Sequence, residues 1–269
     1  MAFVRHRGRR QAKSSVAGGD PRFWDGLVEV WAREEGIEEK LRNRPDWRLI
    51  QRYIHPPARL LEAGCGYAKW VWFLQQQGFE AYGIDFSEAA ISQSCARWPE
   101  LRLERGLIQD MPYEDSFFDA IVSFGAIEHM EAGPQAMLAE MRRVLAPGGV
   151  LYCTVPCYSI FRRAGPGWLA EFLECNPVIR SLRHLPPEVE FWQYRWTPRE
   201  YADILDAAGF DVIDIRPVPP AEKPFGQRAA TLQRRIVAWI NRCWPWFMPH
   251  MMAGICRKPK AGAAADSPL

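Results

Sequence analysis

Two glycines stand directly after an apolar run, in Leu60-Leu61-Glu62-Ala63-Gly64-Cys65-Gly66, and an acid, Asp85, follows Gly64 by twenty-one residues. Glycines at such a turn let a ligand approach the backbone closely. A loop that cradles a pyrophosphate would carry a third glycine at position 69. That position is Lys69, a long side chain, which argues against a nicotinamide dinucleotide and leaves room for a ligand without phosphate. Asp85 can accept both hydroxyls of a ribose, although an acid there also suits the N-terminus of the helix that follows. Asp110 is suited to accept from an exocyclic amine, beside Met111, whose thioether packs flat. His129 could serve as the base for an oxygen nucleophile, or bond a loop carbonyl and cap the next helix. Its neighbour Glu128 reads as a solvated or loop-binding carboxylate.

Strands alternating with helices must position these groups. The spacing predicts strands at Arg59–Ala63, Glu80–Asp85, Leu101–Arg105, Phe117–Phe124 and Val150–Val155, separated by helices over Ala68–Gln77, Glu88–Trp98 and Gln135–Leu145. Ser87 is placed as an N-cap, and Pro147-Gly148-Gly149 closes the third of these helices. The rhythm breaks over 157–196 and resumes at Thr197-Pro198, a cap followed by proline at the first helical position. A helix to Ala208, a strand Asp211–Ile215, a basic helix near Gln227–Cys243 and a last strand Met251–Cys256 complete the pattern. Such βαβ units specify an α/β, doubly wound and mostly parallel sheet. The segments read as a flexible basic arm at 1–20, a helical segment at 21–56 and a cofactor-binding half at 57–156. An inserted acceptor lid at 157–196, a C-terminal part at 197–259 and a disordered tail at 260–269 follow. In the helical segment Trp24, Leu27, Val28 and Trp31 form a stripe, and Pro45 divides it.

The runs LLEAGCG, YGIDFS, GLIQDMPYEDSFFDAIVSFGAIEHM and MLAEMRRVLAPGGVLYCTVP resemble the class I S-adenosylmethionine-dependent methyltransferases. The likeness is greatest to the group that includes the ubiquinone- and menaquinone-biosynthesis enzymes. The resemblance implies a seven-stranded Rossmann-like sheet whose last strand is antiparallel, and S-adenosyl-L-methionine as the cofactor. It places Glu62, Ala63, Gly64, Cys65 and Gly66 along the cofactor's methionyl end. Asp85 would hold the ribose, Phe86 would lie against the adenine, and Asp110 and Met111 would read its edge. Phe124 and Gly125 would lie under the sulfonium. The family more often has glycine where this chain has Ala68. Enzymes that methylate nucleobase amino groups carry an acid or amide and two prolines where this chain reads Ser123-Phe124-Gly125-Ala126, which disfavours DNA or protein-amide methylation.

Composition narrows the partners. In 269 residues, 34 Lys and Arg against 32 Asp and Glu give a net charge of +2, too small to imply nucleic acid. Seven cysteines without metal-type spacing read as reduced, buried thiols of a cytoplasmic protein, and no metal site is expected. No apolar run is long enough to span a membrane. Residues 226–250 combine Leu232, Ile236, Trp239 and Ile240 with Arg228, Arg234, Arg235 and Arg242. They suit either packing on the chain's own core or a second subunit, or a peripheral membrane contact that would make the protein membrane-peripheral. A small-molecule acceptor, lipophilic or sugar-linked, is the expected partner, and the oligomeric state is left open. Two competing classes are a non-catalytic binding or assembly protein on the same fold and another group transferase, such as one forming polyamines. The latter would want an acidic pocket, and the lid is basic.

Overall fold

The computed structural model describes residues 9–12, 35–160, 191–218, 246 and 250–260. The chain forms β1 (Arg9–Ala12), α1 (Ile37–Arg42), α2 (Pro45–Tyr53), β2 (Arg59–Ala63), α3 (Lys69–Gln76) and β3 (Glu80–Asp85). It continues through α4 (Glu88–Arg97), β4 (Arg102–Arg105), β5 (Phe118–Phe124), a 3-10 turn (Ile127–His129), α5 (Gln135–Val144) and β6 (Leu145–Pro156). Then come β7 (Phe191–Arg195), α6 (Pro198–Ala207), β8 (Asp211–Val218) and β9 (Met251–Arg257). Seven strands make one sheet in the order β4-β3-β2-β5-β6-β9-β8. The pairs from β4 to β6 are parallel, and β9 runs antiparallel to both neighbours. The expected doubly wound sheet with an antiparallel last strand is therefore present.

Consecutive strand residues point to opposite sides, and helices pack on both, so the sheet is buried on both faces. Leu60, Val122 and Tyr152 enter one core with Trp47, Ile50 and Phe73 from the helices. Leu61, Ile121 and Leu151 enter the other, with Leu138, Met141, Tyr201 and Leu205. Ser87 caps α4 by accepting from the Ala90 amide. At α6, Thr197 and Glu200 cap one another reciprocally. Thr197→Ala should therefore lower stability by about 1 kcal/mol, measured as a shift in the urea midpoint at constant slope.

Several expectations need correction. The stretch 1–20, read as a flexible arm, contains β1, which pairs antiparallel with β7. The 157–196 insertion therefore holds a strand that lacked a period-2 signal in the sequence. The fifth strand of the sheet begins at Leu145, not Val150, because Gly148 and Gly149 bond Lys258 across the register instead of ending the helix freely. Cys95 is exposed, whereas Cys65, Cys153, Cys157 and Cys256 are buried as expected. Among the described residues no helix is long and apolar enough to cross a membrane. The stripe Trp24–Trp31, residues 161–190, the segment 227–243 and the tail 261–269 lie outside the described residues, and of 226–250 only Trp246 and His250 lie within them.

Candidate active site

The chain leaves β2 for β3 and β4 on one side, then crosses back to add β5 on the other. Ligands of open α/β sheets bind at this point of reversal, beyond the carboxyl ends of the strands. Here the β2 and β5 loops nearly touch. A Cβ on Gly64, whose φ is +80°, would come within 2.8 Å of the Ala126 Cβ. Only glycine leaves the crevice open at that position. The Gly64 and Cys65 amides both donate to the Ile84 carbonyl, at 2.9 and 3.0 Å, folding the loop onto β3.

Asp85, at the tip of β3, ties the β2 loop to the turn after β3. One carboxylate oxygen accepts from the Gly66 amide at 2.8 Å and the other from the Ser87 amide at 2.9 Å. Asp85 is 8% exposed, and the plane of its carboxylate is fixed by these bonds. Glu62 sits lower, fully enclosed, and accepts from the Val71 amide at 3.1 Å near the start of α3. Burial pushes its carboxyl well above the ordinary range, the Val71 amide pulls it back, and the nearby Asp85 charge raises it further. Burial also raises the Cys65 thiol. Ala63 is buried, and its carbonyl accepts from the Ser123 hydroxyl at 2.9 Å, joining β2 to β5. Ala68 adopts the left-handed conformation, φ 44° and ψ 26°, where a family glycine would be unstrained.

Around the rim, Phe86 exposes 39% of its surface and Asp110 is exposed. Met111 is 3% exposed and packs in the core with Ile84 and Ile108, while its amide donates to Glu140 at 2.8 Å. It supports the rim from below. Phe124 stacks on Trp70 with centroids 4.6 Å apart and planes 12° apart, a contact the sequence pattern did not show. Under the same face Tyr152 donates to the buried Asp46 at 2.9 Å, which also accepts from Arg44. Gly125 has a φ of +71° and donates to the Thr154 carbonyl.

The 3-10 turn after β5 brings Glu128 and His129 to the same crevice. Glu128 is not solvated: it is 2% exposed, and its Oε1 lies 3.2 Å from where a Cβ on Gly125 would stand. Desolvation raises its carboxyl to about 8, offset in part by its own backbone amide. His129 Nε2 lies 3.8 Å from Glu128 Oε1, its side chain 13% exposed. The clue in the sequence was a carboxylate inside an otherwise apolar run, Phe124-Gly125-Ala126-Ile127. Among the described residues no cluster of His, Cys, Asp or Glu could hold a metal ion.

Residues 35–215 match a family described as a methyltransferase domain. A relative from Mycolicibacterium smegmatis, named a probable S-adenosylmethionine-dependent methyltransferase, is 28% identical over 168 residues. That match covers 62% of this chain and 58% of the relative, so the chain spans little more than half of its length. A demethylmenaquinone methyltransferase from Bacillus cereus is 27% identical over 61% of this chain and 74% of its own. Among solved structures, an S-adenosylmethionine-dependent methyltransferase from Methanosarcina mazei superposes with a TM-score of 0.56 at 19% identity, covering 79% of this chain and 97% of that one. The cyclase SpnF superposes at 0.53 with 18% identity over 95% of this chain and 88% of its own, so the shape alone does not dictate methyl transfer.

Proposed function

The chain belongs to the S-adenosylmethionine-dependent methyltransferases, and from that premise we propose that it transfers a methyl group from this cofactor to a small-molecule acceptor. The observation that carries the reading is the glycine loop, with Gly64 at the close approach of the β2 and β5 loops and Gly66 bonded to Asp85 at the β3 tip. The residues present fit the cofactor: a glycine cradle that any side chain would fill, an anchored carboxylate at the β3 tip, and an aromatic ring at the rim. When bound, the cofactor supplies a methyl group activated on a cationic sulfur.

The protein's part is alignment, exclusion of water and management of one proton. Asp85 holds the ribose, with Phe86 against the adenine and Asp110 accepting from its amine. Glu62, Ala63, Cys65 and the two loop glycines line the methionyl end, Glu62 by holding the first turn of α3. Phe124, braced by Trp70, and Gly125 line the place of transfer. His129 takes the acceptor's proton at a ring nitrogen, as a protic oxygen acceptor requires.

Calorimetry with S-adenosylmethionine, followed by transfer of a labelled methyl group to a panel of phenols, alcohols and amines, tests this reading. Binding with label appearing in an acceptor supports it. Binding without transfer to any acceptor would favour the non-catalytic reading, and no binding would remove both.

A further inference from the structure

We infer that Glu128 is a buried proton store for the reaction, ionised while the cationic cofactor is bound and protonated again when the methyl group has left. This rests on the cofactor site proposed above and adds to it a charge balance that the acceptor must complete.

The placement of the group carries the inference. Its Oε1 lies against Gly125, and its Oε2 is buried with no hydrogen-bond partner among the described residues. A carboxylate left so costs free energy unless a positive charge or a proton joins it. Among the described residues, the groups that surround it are these. His129 faces it at 3.8 Å from the same turn. From β6 comes the Cys153 thiol, and from α6 Tyr201, whose hydroxyl donates to the Cys153 carbonyl at 3.0 Å. Met251 of β9 adds only a methyl group beside Gly125. On β7, Tyr194 donates to the Glu131 carbonyl, and Arg195 is itself buried. Burial therefore favours the protonated carboxyl in the free protein, lifting it to about 8.

With the cofactor bound as proposed, Phe124 and Gly125 would hold a cationic sulfur next to Glu128, and the Glu128 carboxyl would then release its proton to solvent. On transfer, the acceptor's oxygen bonds to the methyl carbon, and the carbon–sulfur bond breaks with its electron pair left on sulfur. The acceptor's proton passes through His129 to Glu128. The site is neutral overall before and after, so no uncompensated charge is buried at either stage. An acceptor that brings its own proton completes this balance.

The test needs no acceptor, because S-adenosylmethionine and S-adenosylhomocysteine differ at this point only in the charged methylsulfonium. Calorimetry of each in two buffers of different ionisation enthalpy counts the protons released. At pH 7, S-adenosylmethionine should release most of one proton more than S-adenosylhomocysteine, because the carboxyl starts largely protonated. Its relative affinity should rise about tenfold per pH unit from pH 6 toward 8 and flatten above, because the ionised form gains population only up to its own titration point. Glu128→Gln should remove both effects, and His129→Asn should keep them. Equal proton release for the two ligands in the wild type would overturn the proposal, as would a difference that survives Glu128→Gln and vanishes in His129→Asn. Absence of binding by either ligand would instead overturn the cofactor site on which the proposal rests.

Discussion

Replacing His129 with alanine is expected to lower turnover about 10²- to 10⁴-fold once an acceptor is in hand, with cofactor affinity nearly unchanged. The histidine lies on the turn directly after β5, beside a buried carboxyl that can take the proton onward. Removing the imidazole leaves a protic acceptor without its first proton carrier, while the cofactor's ribose and adenine contacts stay intact. The two quantities therefore separate: kcat falls and the calorimetric Kd does not. A folded variant that loses less than threefold in turnover would reduce His129 to a residue that holds the turn. The effect should also depend on the acceptor. One that is already ionised at the assay pH, such as an acidic phenol, should lose much less than an aliphatic alcohol.

Asp85→Ala should weaken S-adenosylmethionine binding by about 2–4 kcal/mol, roughly 30- to 1000-fold. Two sources combine. The ribose hydroxyls lose a charged acceptor, and the Gly66 and Ser87 amides lose the carboxylate that ties the β2 loop to the β3 turn. Asp85→Asn separates them, because its amide oxygen can keep only part of this network and carries no charge. Its affinity should fall between those of the wild type and the alanine variant. Titration calorimetry reads all three, and unchanged binding in Asp85→Ala would remove the ribose assignment.

Much of this was legible in local sequence. The strand–helix rhythm, the Ser87 and Thr197 caps and the glycine loop before α3 depend on residues within a few positions of one another, and local spacing specifies them. Asp85 could be located because it ends the strand-like run Glu80–Asp85 at the usual spacing of about twenty residues past a glycine loop. Ala68 marked a departure from the family, and the strained left-handed backbone there is its cost. The fate of the basic N-terminal stretch was not legible. β1 finds its partner about 180 residues away, and neither strand carries an alternating apolar pattern that would announce the pair. Met111 looked like a ligand-facing thioether, yet Ile84 and Ile108 draw it inward, since a sequence position does not say which way a loop turns. Glu128 is the clearest case. Sequence placed a carboxylate after β5, and only the packing of β6 and β7 against that turn removed water from it. Desolvation is a property of everything that surrounds a group, so tertiary structure alone made this acid a proton store instead of a solvated charge.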